Sequence, residues 1–177
     1  MTHGDELSPA LLQPDGSFVF QGVMDGTYNV YLAPLPSGLS VGEVRHNGSR
    51  QPRALITPNR AAADQKLELV VYPATASAQV SVTSGSHPAK DAQVALFPEE
   101  YDIEDPQSGV RTTRTDANGR TTFSNLIAGK YRLLAFSPEA AWRTSPSLRN
   151  LVATAARVID LAAGASVSAD LKQTDIE

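Results

Sequence analysis

Asp15-Gly16-Ser17-Phe18-Val19-Phe20-Gln21-Gly22-Val23-Met24-Asp25-Gly26-Thr27-Tyr28-Asn29-Val30-Tyr31-Leu32 decides how this 177-residue chain is read, because the same pattern returns at residues 118–135. The offset is a constant 103 positions: Gly16 falls on Gly119, Phe20 on Phe123, Val23 on Leu126, Gly26 on Gly129, Tyr28 on Tyr131 and Val30 on Leu133. Solenoid and propeller units recur every roughly 20 to 50 residues, so a period this long predicts two copies of a whole domain. Within each copy, Asp15-Gly16 and Asn118-Gly119 are hairpin-type dipeptides in which glycine supplies a positive φ. Phe18 and Phe20, and likewise Thr121 and Phe123, then share one face of a strand with period-two alternation. Gly26 and Gly129 open a second strand, with Tyr28, Val30 and Leu32, or Tyr131, Leu133 and Ala135, on one side. Such arms are apolar on one face only and need a second sheet over them.

Outward from the repeat, residues 7–13 and 110–115 are expected to be the strands leading into each hairpin. In the first copy a proline-punctuated loop at residues 33–38 leads to a short strand at 41–46. Asn47-Gly48 is a further turn, residues 53–57 pair briefly, and residues 66–71 close the copy with Leu67, Leu69 and Val71 inward. Residues 73–77 read as a short linker. The second copy then opens with a strand at 78–83, a turn at 84–88 and a strand at 91–97 with Ala92, Val94 and Leu96 on one side. Ser145-Pro146-Ser147-Leu148 reads as a helix start with proline at the first helical position. Residues 157–161 and 166–172 are the last two strands. The expectation is an all-β chain of two Greek-key β-sandwich domains in tandem, residues 1–75 and 76–177, the first lacking its opening strands.

Composition narrows the function classes. Twelve glycines, twelve prolines and no run of helical periodicity support the all-β reading. The formal net charge of −4, without a Lys/Arg cluster, argues against nucleic acid as a partner. Cysteine is absent, which removes disulfides, thiolate chemistry and the usual structural zinc sites together, while leaving the compartment open. Residues 1–10 carry neither a basic n-region nor an apolar h-region, so no signal peptide is expected here. The weakly polar run at 150–165 is broken by Arg157, Asp160 and Gly164, short of the roughly 20 apolar residues of a span, so no membrane insertion is expected.

The pattern Asp-Gly-x-Phe-x-Phe-x-Gly-Val-x-x-Gly-x-Tyr-x-Val, preceded in the second copy by a strand such as residues 92–97, resembles the carboxypeptidase regulatory-like domain, a transthyretin-like (prealbumin-like) seven-stranded Greek-key sandwich. The resemblance covers most of residues 76–177 and the later part of the fold in residues 7–72. It implies a structural or interaction module of a larger bacterial extracytoplasmic protein, secreted or in the cell envelope, with the rest of its parent chain, another protein or a glycan as partner. Sharper functions on related folds leave no trace in these residues. The Cna B-type adhesin modules join a first-strand Lys to a last-strand Asn or Asp, but residues 78–83 contain no Lys, and Leu32 and Ala135 stand where the promoting acid is expected. The 5-hydroxyisourate hydrolases end in Tyr-Arg-Gly-Ser, whereas this chain ends Thr174-Asp175-Ile176-Glu177. Intradiol dioxygenases need two Tyr and two closely spaced His, and His3, His46 and His87 lie in separate segments.

No catalytic residue, cofactor site or metal site is therefore expected. His46 and His87 sit in turns without an orienting partner. Calcium wants six to eight oxygens around a tight loop, and neither residues 99–105 nor Asp116-Ala117-Asn118-Gly119 has that spacing; a solvated loop and a hairpin turn are the readings for them. The candidate ligand-binding residues are Trp142, Arg143 and Tyr101, since loop aromatics on a sandwich are a platform for sugars or partners, which makes a carbohydrate-binding module the alternative function. Trp142 has a second reading, as the anchor of its long connection on the sandwich edge. The shortened first copy, finally, should expose strand edges, and a homodimer through that domain would cover them.

Overall fold

The computed structural model describes residues 9–51, 54–59, 65–99 and 109–176. Strands dominate it. The first half carries β1 (Tyr28–Asn29), β2 (Leu39–His46), β3 (Ser49–Gln51), β4 (Leu55–Ile56) and β5 (Leu67–Pro73). They form a two-stranded sheet, β1-β4, and a three-stranded sheet in the order β3-β2-β5. Asn47 and Gly48 both take positive φ, 50° and 79°, and turn β2 back into β3 as the sequence predicts.

The second half carries β6 (Ala76–Ser84), β7 (His87–Pro88), β8 (Gln93–Pro98), β9 (Arg111–Arg114), β10 (Arg120–Leu126) and β11 (Gly129–Phe136). A 3₁₀ turn at Trp142–Thr144, helix α1 (Leu148–Thr154), β12 (Arg157–Leu161) and β13 (Ser166–Thr174) complete it. Its sheet runs β10-β6-β13-β11-β8-β9, with β12 on the flank of β11 and β7 on β6. β13 lies parallel to β6 over Ser166 to Lys172 and touches β11 only through Gln173 and Thr174. At that corner the sheet folds over itself into two layers. Val80, Val82, Phe123, Ala169 and Leu171 of one layer meet Val94, Leu96, Leu133, Ile159 and Leu161 of the other in one apolar core. The fold is an all-β sandwich.

The repeat persists in three dimensions at the same offset. Gln13 N–H donates to Ser17 O at 2.8 Å and Gly16 N–H to Gln13 O at 2.9 Å. Asp116 N–H donates to Arg120 O at 2.8 Å and Gly119 N–H to Asp116 O at 3.0 Å. Gly16 and Gly119 have φ of 82° and 71°, Gly22 and Asn125 of 68° and 54°. Tyr28 pairs with Ile56 and Asn29 with Leu55, as Tyr131 pairs with Ile159 and Arg132 with Val158.

Three expectations change. Residues 9–13 and 17–21 form no ladder, whereas β10, the counterpart of 17–23, is a full strand. The reason is its partner: β10 is held by β6, through Arg120↔Ser81 to Phe123↔Ala78, and the first half contains no counterpart of β6 among the described residues. A strand sequence without a neighbour has nowhere to place its backbone hydrogen bonds. Leu7 and Ser8 lie outside the described residues. The expected linker at 73–77 is largely absorbed, since Pro73 ends β5, Ala76 opens β6, and Ala74 N–H donates to Gly38 O at 2.7 Å. Pro146 stands ahead of the helix N-cap, which is Ser147, so it is not the first helical residue.

Candidate functional site

In the second layer of the sandwich, β8 and the end of β11 are apolar on both faces. In β8 and β11 the inner positions Val94, Leu96, Leu133 and Ala135 join the core, while Ala95, Phe97, Leu134 and Phe136 point the other way and are equally buried. What covers them is the connection from β11 to β12. Trp142, Leu148 and Val152 of that connection close over Ala95, Phe97, Leu134 and Phe136 as a second, smaller core.

Trp142 is the centre of this cover. Its ring stacks on Phe136 at 5.3 Å with a 10° interplanar angle and meets Phe97 edge-on at 5.9 Å. Its Nε1–H donates to Gln93 Oε1 at 3.2 Å. The Gln93 amide nitrogen in turn donates to the carbonyls of Ser137, Pro138 and Ala140, at 3.2, 2.8 and 3.1 Å. One half-buried amide at the head of β8 thus ties both the backbone and the indole of the connection. Arg114 adds hydrogen bonds to Asp91 O at 3.0 Å and Pro138 O at 3.3 Å. The guanidinium of Arg143 lies 4.5 Å from the Trp142 ring centroid and is exposed.

These positions correct the expected ligand platform. Trp142 is only 3% exposed, with rings on two sides and a cation on another, so it offers no free face to a sugar; it is the anchor of its connection. Arg143 is beside it, on the outside. Tyr101 lies outside the described residues, as do His3 and residues 100–105 of the acidic stretch. Gln93 was not legible as a site residue, although the unbroken apolar run Val94-Ala95-Leu96-Phe97 is the signature of a strand covered on both faces and signals that a polar residue at its head must be tied down.

Of the remaining polar candidates, His46, Asp116 and Thr115 are tied into the framework. His46 shares a hydrogen bond with Gln65 Oε1 at 2.9 Å, and His87 is exposed in β7. The Asp116 carboxylate accepts the N–H groups of Arg120 and Asn118, each at 2.8 Å, and those backbone bonds hold it below the ordinary carboxylate range. That is a hairpin turn rather than a cation loop. Thr115, buried, donates its hydroxyl to Ala89 O and accepts the N–H of Ala92 at 2.9 Å, closing the turn before β8. Among the described residues, no three His, Asp or Glu side chains converge as a metal site would require, and no helix is long and apolar enough to cross a membrane.

No protein-family model matches the chain, and no curated protein does. Solved structures give distant likenesses. The minor pilin of Streptococcus agalactiae is 14% identical with a TM-score of 0.42, over 95% of this chain and 67% of that one. A candidate carbohydrate binding protein from Pseudomonas aeruginosa is 15% identical with a TM-score of 0.38, over 56% of this chain and 89% of that one. A DUF3823 family protein from Parabacteroides merdae is 14% identical with a TM-score of 0.37, over 56% of this chain, which spans 45% of that protein. The assignment of the fold rests on the chain's own sheets.

Proposed function

We propose that this chain is a non-catalytic structural or interaction module of a larger bacterial secreted or cell-envelope protein, built as two copies of one β-sandwich domain, residues 1–75 and 76–177. The observation that carries the tandem reading is the common register: Tyr28↔Ile56 and Tyr131↔Ile159 are the same pair displaced by 103 residues. Two turns and one strand pairing recurring at one displacement are what a duplicated unit gives. The structural role is supported by what the polar side chains do. Gln93, Thr115 and Asp116 each satisfy backbone groups of the chain, so their chemistry is spent on holding loops. The repeated signature, with its likeness to the carboxypeptidase regulatory-like domain, supports the extracytoplasmic setting.

A screen of the purified chain against a glycan array, with Trp142 fluorescence titrations of any hit, tests this reading. No saturable binding is expected. Binding abolished by Arg143→Ala would replace the structural role with a carbohydrate-binding one at the outer face of the connection.

A further inference from the structure

We propose that residues 17–23 are the acceptor edge for an incoming β-strand, and that its chemistry is that of β6: an extended segment with small apolar side chains at alternate positions, running antiparallel to the acceptor. The inference rests on the tandem reading above. It starts from two glycines in one conformation. A Cβ placed on Gly119 would fall 2.5 Å from Val82 O, 3.0 Å from Ala89 N and 3.2 Å from Pro88 Cα, because the β6–β7 hairpin is seated directly on that turn. A Cβ placed on Gly16, with the same φ sign and the same turn hydrogen bonds, would meet nothing within 4 Å among the described residues. Among the described residues, nothing sits on the Gly16 turn as the β6–β7 hairpin sits on the Gly119 turn.

The strand that follows tells the same story. In the second half β6 lies along β10, with Ser81, Val80, Gln79 and Ala78 opposite Arg120, Thr121, Thr122 and Phe123. The counterparts are Ser17, Phe18, Val19 and Phe20, and these have no ladder. Phe18 and Phe20 touch edge-on at 5.8 Å, as residues i and i+2 on one side of an extended chain do. Phe123, beside Ala78 of β6 and inside the sandwich core, is 2% exposed, whereas Phe20 is 37% exposed and Val19 69%. Further back, Thr115 ties the turn before β8, and its counterpart Leu12, with no such turn to hold, is 55% exposed. Among the described residues, the open space at Gly16 and the exposure of Leu12, Val19 and Phe20 coincide with the positions where the β6–β8 segment is seated in the second half.

An edge of this kind binds by strand addition, in which main-chain hydrogen bonds supply affinity and alternate side chains supply selectivity. The four register pairs define the fit. Positions opposite Phe18 and Phe20 take small apolar residues, as Val80 and Ala78 do over Thr121 and Phe123, and positions opposite Ser17 and Val19 face outward and are polar.

The test is a titration of the ¹⁵N-labelled full chain with a synthetic peptide of the β6 sequence, Ala-Ser-Ala-Gln-Val-Ser-Val-Thr-Ser, against the same peptide with proline at its central valine. Saturable amide shifts confined to residues 16–23, absent with the proline peptide and reduced at least tenfold in affinity by Phe20→Asp, are expected. No shift in residues 16–23 up to millimolar peptide overturns the proposal, and so does a concentration-dependent dimer formed through these residues that the peptide does not dissociate. The Val30 amide, which donates to Ala54 O at 2.9 Å, separates the two readings. If it is protected from exchange while residues 16–23 ignore the peptide, only the acceptor edge fails. If it exchanges freely, the tandem reading fails and the edge with it.

Discussion

Tyr28 and Tyr131 make the same bond 103 residues apart: each phenol donates to the carbonyl four residues upstream, Met24 O at 3.0 Å and Ile127 O at 2.9 Å. The bond closes the bend between the two arms of the repeated hairpin, which explains why tyrosine recurs there where phenylalanine would satisfy the apolar pattern. Burial raises the Tyr131 phenol above its ordinary pKa. Its folded pKa exceeds the unfolded one, so its contribution is complete below the unfolded value near 10 and is lost as pH rises through the folded value. Tyr131→Phe should cost about 1 kcal/mol at neutral pH and should flatten the decline in stability above pH 10. Urea melts across pH 7 to 11.5 check both; an unchanged alkaline limb would contradict the assignment.

Trp142→Ala should cost about 3–5 kcal/mol, because it removes the central ring of a buried cluster rather than a surface platform. Gln93→Ala should cost less than that, about 1–3 kcal/mol, through the indole N–H and the Ala140 carbonyl that lose its amide, while Ser137 O and Pro138 O keep the Ala140 N–H and Arg114. The two residues touch, so the double variant should fall short of additivity. Chemical denaturation of the four proteins measures this, and strict additivity would mean that the Gln93–Trp142 bond at 3.2 Å contributes nothing.

Gly16→Ala and Gly119→Ala should diverge although both residues have positive φ. At Gly16 only the left-handed conformation is penalised, about 1–2 kcal/mol. At Gly119 the new methyl also meets the Val82 carbonyl at 2.5 Å, and the backbone of β6 must shift, for a total of about 3 kcal/mol or more. Thermal melts of the two variants decide it. Equal shifts would show that the β6–β7 hairpin does not press on the Gly119 turn.

Gly42 is where the first half leans on the second. A Cβ there would lie 2.6 Å from Tyr72 Cδ2 and 3.0 Å from Ile127 Cδ1, at the irregularity in the β2–β5 ladder between Val41 and Glu43. Gly42→Val should therefore push Tyr72 and Ile127 aside, widen the interatomic distance distribution in small-angle X-ray scattering, and leave the circular dichroism spectrum unchanged. A scattering curve identical to that of the parent would mean that the contact does not hold the halves.

The sandwich was legible where each strand had one buried face. Residues 78–83 alternate cleanly, and β6 is buried at Ala78, Val80 and Val82 and half-buried or exposed between them. The alternation identified only one face of β8 and β11; the other, with Ala95, Phe97, Leu134 and Phe136, lies under a second core. That cover is a connection of mixed polarity, and its docking depends on contacts distant in sequence. The first copy failed for a related reason. Phe18 and Phe20 carry a strand pattern, but a ladder needs a neighbour as well as a propensity, and the residues supplying it in the second half precede β8. Trp142 could be read either as platform or as anchor from sequence; its burial between Phe97 and Phe136 decides for the anchor.

The arrangement of β6 and β13 has a mechanical meaning. β6 is the first long strand of the second half, β13 the last, and they run side by side in parallel over seven residue pairs, Ser166↔Ser77 to Lys172↔Thr83. Tension entering through β5 reaches β6 across Ala74 and Thr75 alone, and tension leaving the chain departs from the far end of β13. The two strands are then dragged past each other along their length, so their cross-strand hydrogen bonds are loaded together in shear and cannot open one after another from an end. A module pulled lengthwise in this way yields only when the whole ladder gives.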